Sequence, residues 1–391
     1  MDREKLYSLH ATCARGFEPY LCRELAALGI AGASECGGGA QFRASFEQAM
    51  KVCLWSRMAN KVEILLGDCY AVNDEAIYEL GRKIDLSPWF SPDKTFCVHA
   101  HSSDPKFKNA LFLSLKVKDG VVDNMRDVWG RRCSIDTERP DIVLNLTVVQ
   151  RRARLYIELQ GEGLSMRGYR RRQLAAPIRE TLAASMLAAS GWDGSTSFCD
   201  PMCGSGTLAI EAAMIATQTA PGIQRHFGFE KLPFFGDVES QWQAMRRDAR
   251  ELARLGRKNF AGEIVARDID AQALDIAQNN AQTAGLDSCI RFVAGSVLDY
   301  RANGVCVVTN PPYGERISVS GMELPEFYFQ LGRHLRTFSD SSLTVISSAE
   351  LLKKNMHMRP ALRISTFNGP LACEVASYEL GKKNRNGAAD H

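Results

Sequence analysis

The sequence has 391 residues, of which 45% are hydrophobic and 24% are charged, and its formal net charge is +3. These are the values of a folded protein with two or three domains, so they exclude a disordered, collagen-like or coiled-coil chain. The small positive excess does not indicate a polyanionic partner unless the positive charge is concentrated in one place.

No segment is of the kind that directs a chain to a membrane. The N-terminus lacks the apolar stretch of a signal peptide, and no run approaches the ~18 apolar residues that a transmembrane helix requires. The twelve cysteines are scattered without a CxxC pair, which is typical of small buried hydrophobic residues and unlike a disulfide framework or a zinc site. We therefore expect a cytoplasmic protein with no membrane contact and no bound metal.

The sequence pattern of residues 1–160 predicts two small α+β modules. The first module, at 1–65, has a strand, a helix, a glycine-rich turn and a second helix, at 6–11, 17–28, 37–39 and 46–58. The second module, at 66–160, has a strand at 95–101, a helix at 111–129 and two further strands at 141–149 and 154–159. His99 and His101 point the same way from one strand, but no further ligand at metal spacing accompanies them, so we assign them a structural role.

Arginines are concentrated where the second module meets a glycine-rich segment, 161–175, which we predict to be a linker. Seven arginines fall between 151 and 172, against the two acidic residues Glu158 and Glu162. A phosphate backbone that crosses this junction would meet that charge, so the pattern indicates an RNA contact, with a solvated linker as the alternative. The predicted contacts are Arg151, Arg152, Arg167, Arg170, Arg171 and Arg172.

Beyond the linker, predicted strands alternate with helices of about 10 to 15 residues, which is the signature of a parallel, doubly wound sheet. The strands lie at 197–199, 263–266, 290–293 and 305–309, and the helices at 177–189, 207–217 and 271–284. The sequence therefore predicts an α/β, Rossmann-like domain over 161–391.

A glycine-rich loop, Gly204-Ser205-Gly206, joins the first of these strands to a helix. Such a loop could serve a dinucleotide, a nucleoside triphosphate or S-adenosylmethionine, or could be only a tight turn. No Gly-Lys-Ser/Thr is present, which disfavours a triphosphate. Asp200 at the strand end would repel a pyrophosphate but attract the cationic amino-acid portion of S-adenosylmethionine, so the charges favour the methyl donor.

Asp268 closes the next strand and is placed to accept hydrogen bonds from ribose hydroxyls. It lies 62 residues beyond Gly206, against about 20 in dinucleotide folds, so we expect an insertion at 220–261. The alternative role for Asp268 is a helix N-cap, which we assign instead to Asp270.

Asn310-Pro311-Pro312-Tyr313 follows the strand at 305–309. The prolines have no N–H, so the Asn310 oxygen and the Pro311 carbonyl form a cluster of acceptors. Such acceptors could hold the exocyclic amine of a nucleobase and stabilise its developing positive charge, while Tyr313 stacks on the flipped base. A surface turn is the alternative for this motif.

With these motifs the chain resembles the bacterial large-subunit ribosomal RNA guanine-N(2) methyltransferases that carry an N-terminal THUMP domain. The resemblance extends over nearly the whole chain, in the segments SLHATCARGFEPYLCREL, LWSRMANKV, RGYRRRQLAAPIRETLAAS, DPMCGSGTLAIEAAM, NPPYGER and NGPLACEV. It implies a ferredoxin-like unit at 1–65, a THUMP RNA-binding domain at 66–160 and a class I methyltransferase domain at 161–391 that uses S-adenosylmethionine. The implied substrate is a guanine N2 amine in 23S ribosomal RNA, free or in an assembly particle. Some relatives carry a second methyltransferase domain; because the sequence ends at His391, we expect that activity to be absent.

One position departs from the family pattern. The loop after the strand at 290–293 usually offers an aspartate to the adenine of the cofactor, whereas here Ser296, Asp299 or stacking would have to replace it. The predicted cofactor-binding residues are Asp200, Pro201, Cys203, Gly204, Gly206, Thr207, Asp268, Ile269, Ser296 and Asn310. The predicted catalytic residues are Asn310, Pro311, Pro312 and Tyr313.

Two other functions stay open at this point. The same Asn-Pro-Pro-Tyr loop could serve the N6 amine of adenine in DNA or RNA, although the THUMP-like N-terminal part argues against a DNA substrate. A non-catalytic RNA-binding assembly factor is the second alternative, which the complete set of predicted cofactor residues disfavours. The modified nucleotide and the oligomeric state are not determined by the sequence.

Overall fold

The computed structural model describes residues 5–170, 178–314, 318–319 and 321–381. The chain divides into a first unit, of residues 1–12, 22–164 and 224–247, and a second unit, of residues 13–21, 165–223 and 248–391. Each unit therefore combines segments that are distant in the sequence.

The first unit is built on one mixed sheet, which has eight strands within the described residues, in the order β2-β3-β1-β4-β8-β7-β5-β6. The strands are β1 (Tyr7–Thr12), β2 (Ser34–Cys36), β3 (Gly39–Ala44), β4 (Lys61–Tyr70), β5 (Thr95–Ser102), β6 (Ser134–Ile135), β7 (Ile142–Val149) and β8 (Arg152–Glu158). The helices of this part of the chain are α1 (Glu18–Ala27), α2 (Phe46–Trp55), α3 (Asp74–Arg82) and α4 (Ala110–Trp129). Because β4 pairs with β8, the two modules predicted from the sequence share one continuous sheet.

The alternation of side chains along these strands gives the sheet two different faces. On β1, the apolar Tyr7, Leu9 and Ala11 are buried, whereas the polar residues between them point to the opposite face. Helices α2, α3 and α4 contact strands β3, β4 and β5, so the apolar face is the covered one. Burying an aliphatic side chain contributes roughly 1.5–3 kcal/mol, and this burial fixes the register.

The second unit contains the predicted α/β sheet, with seven strands in the part that the structure describes, in the order β11-β10-β9-β12-β15-β17-β16. Its strands are β9 (Ser197–Asp200), β10 (Ile264–Asp268), β11 (Arg291–Ala294), β12 (Val305–Thr309), β15 (Ser341–Ser347), β16 (Leu362–Asn368) and β17 (Leu371–Leu380). Two short strands, β13 (Ser318–Val319) and β14 (Met322–Glu323), form a separate hairpin. The helices are α5 (Glu180–Ser190), α6 (Thr207–Ala216), α7 (Phe235–Asn259), α8 (Ala271–Ala284), α9 (Leu324–Leu335) and α10 (Ala349–Asn355), and α7 begins within the first unit.

Strands β11, β10, β9, β12 and β15 pair in parallel, which confirms the predicted doubly wound arrangement. The last two strands differ from the expectation, because β16 and β17 form an antiparallel hairpin that pairs with β15. Helix α7 supplies most of the expected insertion. Every residue of β12 is buried, and the core around it includes Phe327, Tyr328 and Leu331 of α9. Among the described residues, no helix is long and apolar enough to cross a membrane.

Candidate functional site

Three adjacent parallel strands of the second unit end in the polar residues that the sequence singled out. Asp200 is the last residue of β9, Asp268 is the last residue of β10, and Asn310 follows β12. Strand β9 lies between the other two, so all three residues are at the carboxyl edge of the sheet, where doubly wound folds bind their ligands. We refer to Asp200, Asp268 and Asn310 as the strand-end site.

The glycine-rich loop is fastened to the end of β10. The backbone N–H of Cys203 donates to the Arg267 carbonyl at 2.8 Å, and that of Gly204 donates to Oδ2 of Asp268 at 2.8 Å. Gly204 has a positive φ of 50°, a conformation that favours glycine. Pro201, Cys203 and Thr207, which we also predicted at the cofactor, are buried around this loop.

Position 206 requires glycine for a structural reason that the sequence did not show. Its φ is 82°, and a Cβ at this position would lie 2.9 Å from the Cβ of Ala277 in α8. The missing side chain therefore allows α6 to begin against α8. At Gly206, the space of the absent Cβ is taken by a neighbouring helix and is not open to a ligand.

Asp268 uses both carboxylate oxygens in the protein. Oδ2 accepts from Gly204, and Oδ1 accepts from the backbone N–H of Asp270 at 3.0 Å. Asp270 caps α8 by accepting from the N–H of Gln272 at 2.9 Å, which confirms the N-cap assignment. Asp268 is only half-buried, and a carboxylate oxygen can accept more than one hydrogen bond. Asp268 is thus held in place and can still accept a hydrogen bond from a ligand hydroxyl. The neighbouring Ile269 is 60% exposed.

Asp200 is almost completely buried. Its Oδ1 accepts from the Thr309 hydroxyl at 2.9 Å and from the Met202 N–H at 3.3 Å. Burial raises the pKa of Asp200 to about 7, against the hydrogen bonds from Thr309 and Met202, which lower it. These contacts tie the end of β9 to the end of β12. A direct contact with a cationic ligand stays a prediction.

The side-chain oxygen of Asn310 is buried and has no hydrogen-bond partner among the described residues. Leaving a buried acceptor unpaired costs about 1–3 kcal/mol, and such groups in native structures call for an explanation such as a bound ligand. Pro311 and Pro312, which follow it, have no N–H to donate. The structure therefore contains a buried acceptor, to which no described residue donates, at the place where the sequence predicted one.

Two buried contacts hold the Asn-Pro-Pro-Tyr loop, and sequence reasoning missed both. The hydroxyl of Tyr328 lies 3.2 Å from the Pro312 carbonyl and 2.6 Å from the Ser347 hydroxyl. The hydroxyl of Tyr313 accepts from the side-chain amide of Asn368 at 2.8 Å. Asn368 opens the segment NGPLACEV, so a signal existed for that residue, whereas nothing local marked Tyr328 in α9.

Ser296 uses its side chain within the turn that follows β11. Its hydroxyl accepts from the N–H of Leu298 at 3.1 Å, and its carbonyl accepts from Nε of Arg267 at 3.3 Å. Ser296 therefore shapes the turn after β11, and its contact with a cofactor remains a prediction.

The structure corrects the prediction that the arginine cluster contacts RNA. Arg167 is 2% exposed and forms an ion pair with the fully buried Glu211 at 3.3 Å, so the prediction that it contacts RNA is wrong. Arg170 pairs with Glu180 at 3.0 Å and donates to the Thr207 hydroxyl at 2.8 Å, so it too supports the second unit from within. Arg171 and Arg172 lie outside the described residues.

Arg151 and Arg152, in the first unit, are exposed. Arg152 forms an ion pair with Asp68. Their contact with RNA stays a prediction. His99 and His101 are exposed, and Nε2 of His99 lies 3.5 Å from Sγ of Cys97; the structural role assigned to them stays a prediction. Within the described part of the chain, no group of three or more histidine, cysteine, aspartate or glutamate residues could hold a metal ion.

Family comparisons cover both units. Residues 167–377 match the family described as "RMKL-like, methyltransferase domain", which is more than half of the chain. Residues 71–158 match the THUMP domain, and residues 8–63 match the RlmL ferredoxin-like domain.

Individual relatives agree with these matches. The chain is 36% identical to the ribosomal RNA large subunit methyltransferase K/L of Syntrophotalea carbinolica, over 97% of this chain and 54% of that protein. It thus spans about half the length of that curated relative. The structure of SMU.472 in complex with S-adenosylhomocysteine (SAH) is 27% identical, with a TM-score of 0.85 over 97% of this chain and 99% of that one. The structure of a predicted N6-adenine-specific DNA methylase from Listeria monocytogenes is 28% identical, with a TM-score of 0.85 over 96% and 97%.

Proposed function

The chain belongs to the RMKL-like methyltransferase family, and from that premise we propose that it methylates the exocyclic N2 amine of a guanine in 23S ribosomal RNA. The methyl donor is S-adenosylmethionine. The observation that carries the proposal is the buried, unpaired oxygen of Asn310 at the carboxyl edge of the sheet.

The strand-end site has the groups that this cofactor needs. Asp268 is half-buried and rigidly held, so it can accept hydrogen bonds from ribose hydroxyls, and the exposed Ile269 beside it offers an apolar surface for the adenine. Asp200 adds negative charge when it is ionised. The bound cofactor supplies an electrophilic methyl group; the roles of Pro201, Cys203, Gly204 and Thr207 are to shape the loop that receives it.

The Asn310 oxygen would accept a hydrogen bond from the guanine amine. The lone pair of that amine is delocalised into the base, so the nitrogen is a poor nucleophile until its N–H groups are held by acceptors. As the nitrogen attacks, it gains positive charge, and a preorganised acceptor in a water-poor site stabilises that charge more than the neutral ground state. The tethers from Tyr328 to Pro312 and from Asn368 to Tyr313 keep the loop in position for this contact.

Tyr313 is proposed to stack on the target base. Its ring is half-buried, and its hydroxyl is fixed by Asn368, so the ring has a defined orientation before RNA arrives. A base must leave its stack to reach such a site, and aromatic stacking stabilises the extruded base by about 1–3 kcal/mol.

The THUMP match and the ribosomal RNA methyltransferase relative support RNA, free or in an assembly particle, as the substrate, which would place the enzyme in the cytoplasm. Adenine N6 methylation is the second candidate, because the Asn310 acceptor suits either amine and one similar structure is described as a predicted adenine methylase. The complete set of Asp200, Gly204, Gly206, Asp268 and Asn310 disfavours a non-catalytic assembly factor.

Incubation of the purified chain with undermethylated 23S ribosomal RNA and labelled S-adenosylmethionine tests the proposal. Mass spectrometry of the nucleosides should show N2-methylguanosine. If the product is N6-methyladenosine, the target base is adenine and not guanine. If neither the RNA nor assembly particles become labelled, the enzymatic function is rejected.

A further inference from the structure

The last residue of β12 brings a hydroxyl into a strand that is otherwise built from valine and cysteine. The strand reads Val-Cys-Val-Val-Thr, and all five residues are buried. Thr309 itself is 0% exposed. A valine would fill the same space without bringing a polar group that has to be satisfied, so packing alone does not explain the Thr309 hydroxyl.

Strands β9 and β12 separate where this hydroxyl lies. Their parallel pairing ends at Cys199 and Val307, whereas Asp200 still pairs with β10 and Thr309 still pairs with β15. The chain continues from β9 to one side of the sheet and from β12 to the other. A doubly wound sheet binds its ligands at such a point, where the strand order reverses.

The Thr309 hydroxyl joins the two separated strand ends. It donates to Oδ1 of Asp200 at 2.9 Å, and the backbone N–H of Met202 donates to the same oxygen at 3.3 Å. No described residue donates to Oδ2 of Asp200. One oxygen of the carboxylate is therefore fixed by the protein, and the other is left for a ligand.

The same hydroxyl also acts on the charge of Asp200. Burial raises the pKa of Asp200 to about 7, the hydrogen bonds from Thr309 and Met202 lower it, and the negative charge of Asp268 on β10 raises it. The other titratable groups beside it are thiols that stay neutral because burial raises their pKa, those of Cys199 and Cys203. Among the described residues, only Thr309 and Met202 thus favour the ionised carboxylate, and Thr309 makes the shorter hydrogen bond.

We propose that Thr309 is a positioning residue for the methyl donor: its hydroxyl keeps the Asp200 carboxylate ionised and turned so that Oδ2 meets the cationic amino-acid portion of S-adenosylmethionine. This inference rests on the proposed function for the placement of the cofactor at the strand-end site. The alternative is a structural role, in which the hydrogen bond only stabilises the two strand ends. That role predicts a change in cofactor affinity that does not depend on pH.

Calorimetric titration of the full chain with S-adenosylmethionine between about pH 6 and pH 9 tests this role. Thr309→Val keeps the shape of the side chain but removes the donor, so it raises the pKa of Asp200 further, by about one pH unit. The variant should bind the cofactor about fivefold more weakly than the wild type near pH 7 and about equally near pH 9, where Asp200 is ionised in both proteins. The ionisable groups of the cofactor titrate alike in both series, so the ratio of the two affinities is compared.

Two matched variants accompany this measurement. Thr309→Ser keeps the hydroxyl and should restore the wild-type affinity at every pH. Thr344→Val makes the same chemical change on β15, where the Thr344 side chain is 1% exposed and its hydroxyl lies 2.8 Å from that of Ser377; it should bind the cofactor like the wild type. If Thr309→Val does not fold, Thr309→Cys, whose thiol is a weaker donor, should show the same pH-dependent loss in smaller measure.

An Asp200→Asn background shows whether the hydroxyl acts through Asp200. Adding Thr309→Val to that variant should cause no pH-dependent loss of affinity, because no carboxylate is left to titrate. An affinity ratio between Thr309→Val and the wild type that stays constant with pH would overturn the proposal. A pH-dependent loss that persists in the Asp200→Asn background would overturn it as well.

Failure of this inference and failure of the proposed function give different results, because the calorimetry uses no RNA. If the wild type methylates 23S ribosomal RNA while the affinity ratio stays constant with pH, only the role of Thr309 is rejected. If the ratio follows pH as expected but no methylation is detected, the proposed function fails and the role of Thr309 at the cofactor stands.

Discussion

A carboxylate network in the sheet of the first unit and the strand-end site of the second unit both bury polar side chains, but only the network satisfies them within the protein. In the network, Glu63 and Glu158 accept from the Asn145 amide and pair with His10 and Lys61, respectively, and Glu158 also accepts from Gln160. In the strand-end site, the Asn310 oxygen is buried with no partner in the described residues. A satisfied network can recognise a ligand while remaining stable without it, whereas an unsatisfied acceptor stores a cost that only a ligand removes. We therefore expect variants of paired groups to change stability or binding and variants of the unpaired group to change the reaction.

The largest effect on stability is expected at a buried pair. Arg167→Ala would leave Glu211 as a fully buried, unpaired charge, which lowers the free energy of unfolding by about 3–5 kcal/mol. Urea unfolding followed by a probe in the second unit measures it. Arg254→Ala, which breaks an exposed pair with Glu251 in the same unit, should leave the transition unchanged. Normal stability with a loss of RNA affinity in Arg167→Ala would restore the original assignment of this arginine to RNA.

Asp200 should make stability depend on pH. Its pKa is raised from 3.8 to about 7 in the folded protein, so the folded state holds a proton that the unfolded state has released. Its contribution therefore favours folding at low pH and is lost as the pH rises from about 4 to 7, by at most about 4 kcal/mol. Asp200→Asn removes this titration. As the pH rises through that range, the wild type should therefore lose free energy of unfolding relative to the variant. A difference that is constant with pH would contradict the assignment.

Asp268 sharpens the comparison because it is paired and still accessible. Asp268→Ala should weaken S-adenosylmethionine binding by about 1–3 kcal/mol, through loss of the ribose contacts and of the Gly204 anchor. Isothermal calorimetry gives the affinity directly. The control is Asp275→Ala, an exposed aspartate of α8, which should bind the cofactor normally. Wild-type affinity in Asp268→Ala would remove the cofactor from this strand end.

The smallest effect is expected for the tether of Tyr313. Asn368→Ala and Tyr313→Phe remove the same 2.8 Å hydrogen bond from opposite sides, and each should raise the KM for RNA by an amount equivalent to about 0.5–1.5 kcal/mol. Tyr313→Phe also removes the hydrogen bond between the Tyr313 hydroxyl and Cys373, so the double variant should be no worse than Tyr313→Phe alone. Additive losses would show that the two residues act independently.

The second unit was largely readable from the sequence because its signals are local. Asp200, Asp268 and Asn310 each follow directly after a buried strand, and a parallel sheet brings such strand ends together. The antiparallel hairpin β16–β17 was missed, since its pairing depends on residues outside any short motif.

Long-range pairing accounts for what the sequence could not show. Arg167 looked like a surface cation because its partner Glu211 is 44 residues away. The carboxylate network of the first unit likewise joins Glu63 to Asn145 across 82 residues. Neither pair has a periodicity or a motif, so only the folded chain reveals which charges are satisfied.

The central claim is that the unpaired Asn310 oxygen acts on the substrate amine, and single-turnover methyl transfer by Asn310→Ala tests it most directly. With cofactor and 23S ribosomal RNA saturating, we predict a rate roughly 10²-fold lower or more, by analogy with the loss of one preorganised polar group. The affinity for S-adenosylmethionine should stay close to that of the wild type. A wild-type rate of methyl transfer in Asn310→Ala would contradict the account.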